Sequence, residues 1–92
     1  MTQEKKVIES IEEHRRIIDE LDERIVTLLN ERATQSLAIR ILKPDVHMPM
    51  YDPQREEEIF KHAESVNSGP MYAENIRAIY STILKVMKEL RI

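Results

Sequence analysis

The sequence predicts an all-α protein built from a long helix, a short helix and a medium helix. Three observations predict it. The stretch from Glu4 to Lys43 contains neither Gly nor Pro, so nothing in it breaks a helix. All four prolines and the single glycine fall at 44–53 and at 69–70, leaving three uninterrupted segments. With 34% charged residues, one Gly and no Trp or Cys, the composition is that of a helical protein.

The long helix carries a heptad seam. Ile11, Ile18, Ile25 and Ile39 recur at steps of seven or fourteen, and Val7, Leu21, Leu28 and Leu42 take the interleaved position. At 1.5 Å per residue such a helix runs about 60 Å. A compact monomer of this size would be only about 25 Å across. The helix outruns what its own chain can cover, and a partner chain is the simplest cover. Lys43-Pro44 ends the helix, because the residue before a proline avoids the helical region. Residues 44–51 are expected to form a loop.

Asp52-Pro53 opens the second helix, with Asp as N-cap and Pro in the first helical position. Ile59, Phe60, Ala63 and Val66 form its apolar face. Asn67-Ser68-Gly69-Pro70 is a break. The last helix is expected from about Tyr72 to Arg91, with Ile76, Ile79, Tyr80, Ile83, Leu84, Met87 and Leu90 at helical spacing. No repeat or linker divides the chain, so residues 1–92 read as one domain.

Bulk charge narrows the functional classes. A net charge of −3 gives no global reason to expect nucleic acid or an anionic membrane as partner. The absence of cysteine removes disulfides, thiol nucleophiles and Cys-based metal sites. His14, His47 and His62 share no metal-ligand spacing. The polar start Met1-Thr-Gln-Glu-Lys-Lys lacks the apolar stretch of a signal peptide, and no run is long enough to span a bilayer. The expectation is a cytoplasmic protein without a metal site.

Local rules fail at a few cations. Arg32 and Gln35 occupy seam positions where Ile and Leu sit elsewhere. A buried Arg without a counter-charge costs several kcal/mol, so Arg32 pairs with an acid, fixes helix register or awaits an anionic ligand. Arg55 lies in the third position of the second helix, where the dipole favours acids. It adds positive potential beside free backbone N–H groups, a combination that suits a carboxylate or phosphate, unless it pairs with the acids that follow it. Lys43 ends the first helix, where a cation is ordinary dipole complementation. Arg15 and Arg32 are seventeen residues apart on one helix, or about 25 Å. They can grip one small molecule only if two such helices pair antiparallel. Each of two sites would then hold Arg15 of one chain with Arg32, Lys43 and Arg55 of the other. So many cations suit a ligand with more than one negative charge.

Arg15, Arg32, Lys43 and the run PMYDPQRE from Pro49 to Glu56 occur in order and register on this three-helix pattern. With Leu21-Asp22, Asn30-Glu31-Arg32 and Asn67-Ser-Gly-Pro70, the chain resembles the all-helical, type II chorismate mutases from about Glu13 to Arg91. The resemblance implies an intertwined homodimer that rearranges chorismate to prephenate, in phenylalanine and tyrosine biosynthesis, without a cofactor. It implies that Arg15 from the partner subunit and Arg32 bind the two carboxylates of chorismate. Lys43 would donate to the ether oxygen whose bond breaks, Arg55 would support a carboxylate, and Asp52 and Glu56 would hold the ring hydroxyl. In the last helix the family usually has a Gln as second donor to that oxygen; Arg91 stands there, and Met87 stands one turn earlier where a small residue is common. Such domains are often fused to other enzymes of the same pathway, so a partner enzyme is a further expectation. Two other readings stay open here: an isochorismate-pyruvate lyase on the same scaffold, and a non-catalytic helical dimer that serves as a regulatory module.

Overall fold

The computed structural model describes residues 2–91. It contains α1 (Gln3–Leu42), a 3-10 helix (Lys43–Val46), α2 (Pro53–Ser65) and α3 (Ala73–Glu89), and among the described residues there is no strand. The all-α expectation and the order long, short, medium hold. The chain divides into two compact units, Met1–Thr34 and Gln35–Ile92.

The first unit is helix throughout its described residues, apart from Thr2. None of those residues is buried. Ion pairs one turn apart lace its surface: Arg15 with Glu12 at 3.0 Å, and Arg16 with Glu13 at 2.6 Å and with Glu20 at 2.5 Å. Such pairs one turn apart support the helix only weakly, because water screens exposed charges. The heptad seam, expected to form a core, lies open in the single chain, with Ile11 and Leu21 each 44% and Leu28 58% exposed. Gln35, placed in the seam, is likewise exposed, whereas Arg32 is half-buried.

The second unit holds the only buried side chains among the described residues, Ala63 of α2 with Leu84 and Met87 of α3. Half-buried Ile59, Phe60, Ile76, Tyr80, Ile83 and Leu90 surround them, as their helical spacing predicts. Two positions depart from the expected faces. Val66 lies past the end of α2 as its C-cap and is exposed, and Ile79 is exposed within α3.

Capping fixes where the helices begin. The Asp52 carboxylate accepts from the Arg55 backbone N–H at 3.0 Å, and Pro53 follows as the first helical residue, which satisfies an orphan donor. The Asn75 side chain accepts from the Tyr72 N–H at 2.9 Å, while the Asn75 N–H donates to the Tyr72 carbonyl at 3.0 Å. Between the helices, the Asn67 side chain bridges its own turn by accepting from the Gly69 N–H at 3.1 Å and donating to the Met71 carbonyl at 2.7 Å. Gly69 has φ +86°, a conformation that disfavours a side chain.

A clasp joins α2 to α3. Arg77 donates to Glu57 at 2.6 Å and to Glu64 at 3.1 Å, and its guanidinium lies 4.3 Å from the centre of the Phe60 ring. The hydrogen bond from Arg77, more than its charge, holds the Glu57 carboxyl below its ordinary titration range, and the same pair raises Arg77. A carboxyl that titrates lower when folded contributes stability that is complete above the unfolded value and lost as pH falls through the folded one. We expect the difference in melting temperature between the protein and its Glu57→Gln variant to be full near neutral pH and to close as pH falls through the lowered folded value of Glu57. Circular dichroism melts across that range check it.

Candidate functional site

The expected site residues fall in both units. In the first unit, Arg15 is exposed and paired with Glu12, and Arg32 is half-buried. Both belong to the same straight run of α1, seventeen residues apart, so about 25 Å separates them along the axis.

In the second unit, Asp52, Arg55 and Glu56 gather on the first turn of α2. Asp52 is there because it caps the helix, and Arg55 because its N–H answers that cap. The Arg55 guanidinium is exposed and reaches Glu58 at 3.5 Å, a contact at the edge of hydrogen-bonding distance. Arg55 is the third residue of α2, so it stands beside the N-terminal end, where backbone N–H groups and the helix dipole favour an anion, although the Glu58 contact lies one turn further in. Glu56 is half-buried, and its Oε2 accepts from the Lys88 ammonium at 3.1 Å. The Lys88 ammonium also lies 5.5 Å from the centre of the Tyr51 ring. Tyr51 and Lys88 thus frame Glu56 from the preceding loop and from α3.

Lys43 is half-buried at the start of the 3-10 helix, and its Nζ donates to the Met50 carbonyl at 3.4 Å. The segment expected as plain loop is therefore partly ordered. Pro44 sits in the first turn of the 3-10 helix, His47 closes it in a left-handed conformation at φ 57°, and the Met48 N–H returns to the Lys43 carbonyl at 3.1 Å. This doubling back brings Met50 to the Lys43 ammonium.

At the far end, Met87 is buried in the core of this unit. Arg91 does not lie in the last helix as expected. α3 ends at Glu89, and Leu90 turns the chain out with ψ 141°. The last turn is instead gripped by Arg40, whose guanidinium donates to the Leu90 carbonyl at 2.5 Å and to the Met87 carbonyl at 2.6 Å.

Sequence reasoning does not single out Arg40, Lys88 or Arg77. One signal points to the first: Arg32, Ser36 and Arg40 recur at steps of four with Lys43 three further on, and all four are half-buried. Such a polar stripe on a helix that is otherwise apolar at regular intervals marks a face with work beyond packing. No comparable signal marks Lys88 or Arg77, whose partners lie on another helix.

Among the described residues, no group of His, Asp and Glu gathers in a way that could hold a metal ion, and no helix is long and apolar enough to cross a membrane. The chemistry on offer is that of fixed cations and hydrogen-bonding carboxylates. Such a set can bind a small polyanion and stabilise charge developing on one of its oxygens.

Residues 14–92 match the family model for chorismate mutase type II. A bifunctional chorismate mutase/prephenate dehydratase of Aquifex aeolicus is 32% identical over 93 residues, spanning 92% of this chain. The chain covers 26% of that relative's length. Among solved structures, the chorismate mutase of Thermus thermophilus (form I) superposes with a TM-score of 0.81 at 33% identity, covering 85% of this chain and 98% of that one. The Helicobacter pylori chorismate mutase, solved in complex with prephenate, gives a TM-score of 0.79 at 28% identity over 88% of each chain.

Proposed function

The chain belongs to the type II chorismate mutase family, and we propose that it rearranges chorismate to prephenate as an antiparallel homodimer with two sites. The observation that carries this reading is the family match, which spans residues 14–92 and so takes in every side chain assigned to the site. The open heptad seam of α1 supports the dimer, since a second copy would bury it.

In each site, Arg15 of the partner subunit and Arg32 bind the two carboxylates of the substrate. Arg55 adds positive potential at the start of α2, and Asp52 and Glu56 accept from the ring hydroxyl. Holding both carboxylates selects the compact conformer in which the two reacting carbons meet, a task of position. The ether C–O bond then breaks as the new C–C bond forms. Atoms and electrons stay within the substrate, so neither a nucleophile nor a redox group takes part. Negative charge grows on the ether oxygen in the transition state, and Lys43 and Arg91 are the donors aimed at it. Met87 closes the apolar side. An enzyme that consumes prephenate is the natural next partner, as the second activity of the Aquifex aeolicus relative illustrates.

The test is the loss of chorismate absorbance on adding purified protein, with prephenate identified by product analysis. Saturable turnover to prephenate is the expected result. Absence of turnover from protein that is helical by circular dichroism would sink the activity and leave a binding module on the same scaffold.

A further inference from the structure

Arg40 lies in the last turn of α1, where a cation ordinarily complements that helix's own dipole. Its guanidinium is aimed elsewhere. One nitrogen donates to the Leu90 carbonyl at 2.5 Å and another to the Met87 carbonyl at 2.6 Å, both at the end of α3. Those are acceptors that a helix end leaves without partners. A planar fork can serve two carbonyls at once, which a lysine ammonium on its single stem cannot do with the same geometry.

The consequence falls on Arg91. Beyond Glu89 the chain has left the helix, and the Leu90 N–H makes only a long contact, 3.4 Å, to the Met87 carbonyl. Helical hydrogen bonding therefore does little to direct the residue that follows. The Leu90 carbonyl, however, belongs to the peptide unit that also contains the Arg91 N–H, and that unit is planar. Gripping its oxygen fixes the direction in which the Arg91 backbone sets out. Arg40 is also three residues before Lys43, so the clamp ties the Arg91 peptide to the stretch of chain that carries Lys43.

We infer that Arg40 is a positioning residue, holding the extended segment that carries Arg91 beside Lys43 so that both cations can reach one substrate oxygen. The inference rests on the proposed mutase activity and on Arg91 as a donor in it. Without the clamp, Arg91 leaves the end of a helix on a free peptide, and a donor misplaced by an ångström loses most of its effect on the transition state.

The experiment is a double-substitution cycle on kcat, using Arg40→Ala, Arg91→Ala and the pair together. In the otherwise unsubstituted protein, Arg40→Ala is expected to lower kcat by about tenfold or more while KM moves less than about threefold. In the Arg91→Ala background the same substitution should change kcat by less than about twofold, because the group it positions is gone. Arg40→Lys keeps the charge at the helix ends and one donor. It should fold where alanine does not and show the same coupling at reduced size. Equal losses in both backgrounds would mean a helix cap without a directing role and would overturn the inference. So would an Arg91→Ala protein with unchanged kcat. Failure of the activity itself is told apart at the outset, since the unsubstituted protein would then not turn over, and the inference would fall with it.

Discussion

Replacing Lys43 by alanine is expected to lower kcat by about a hundredfold or more while KM changes far less. The Lys43 ammonium has a long hydrogen bond of 3.4 Å to the Met50 carbonyl. It carries three donors, and that carbonyl satisfies at most one of them weakly. The ammonium is therefore held in direction yet little committed, which suits a donor whose proper partner forms only as the ether oxygen gains charge. A preorganised donor of this kind is typically worth on the order of 3 kcal/mol in the transition state. An interaction made mainly there appears in kcat. Stability should hardly move. A cation at the C-terminal end of α1 contributes only a few tenths of a kcal/mol through the dipole, so Lys43→Ala should melt within a few degrees of the parent. Loss of turnover with an unchanged melt assigns the effect to chemistry. A kcat within about threefold of the parent would remove Lys43 from the role of principal donor.

The features legible in the sequence are the local ones. The absence of Gly and Pro through residue 43 predicts a helix over Glu4–Lys43, and the helix runs Gln3–Leu42. Asp52-Pro53 predicts an N-cap, and the cap bond is there. Asp52, Arg55 and Glu56 lie within one turn, so their grouping follows from helix geometry alone. The features that are not legible join residues far apart in the chain. Lys88 meets Glu56, Arg77 meets Glu57 and Glu64, and Arg40 meets Leu90 because the helices of the second unit pack with particular rotations about their axes. Periodicity shows which face of a helix is apolar but not which neighbour its polar flank will touch. The end of α3 escapes sequence reasoning for a related reason. No Gly or Pro lies in Ala73–Glu89 or at Leu90 to mark the stop, and the Arg40 bonds to the Met87 and Leu90 carbonyls come from another helix. The seam shows the opposite case: its period is legible, yet its residues lie exposed in the single chain.

Mixing an Arg15→Ala protein with an Arg32→Ala protein is expected to restore activity that neither has alone. Both arginines sit on one continuous helix, α1, from Gln3 to Leu42, and about 25 Å of axis separates them. Chorismate is far smaller than that span, so one copy of the helix cannot present both to the same molecule. If the proposed antiparallel dimer is correct, each site takes Arg32 from one subunit and Arg15 from the other. Each single substitution then damages both sites of its own homodimer. In a mixed dimer the two lesions fall together in one site and leave the other whole. After random exchange of subunits half of the dimers are mixed, so about a quarter of the parent activity should return. The exchange itself needs the seam to open, and brief mild denaturation followed by dilution provides for it. Recovery would require a site built across two chains. No recovery, from partners shown by light scattering to have exchanged, would place Arg15 outside the site and leave its pairing with Glu12 at 3.0 Å as the whole of its role.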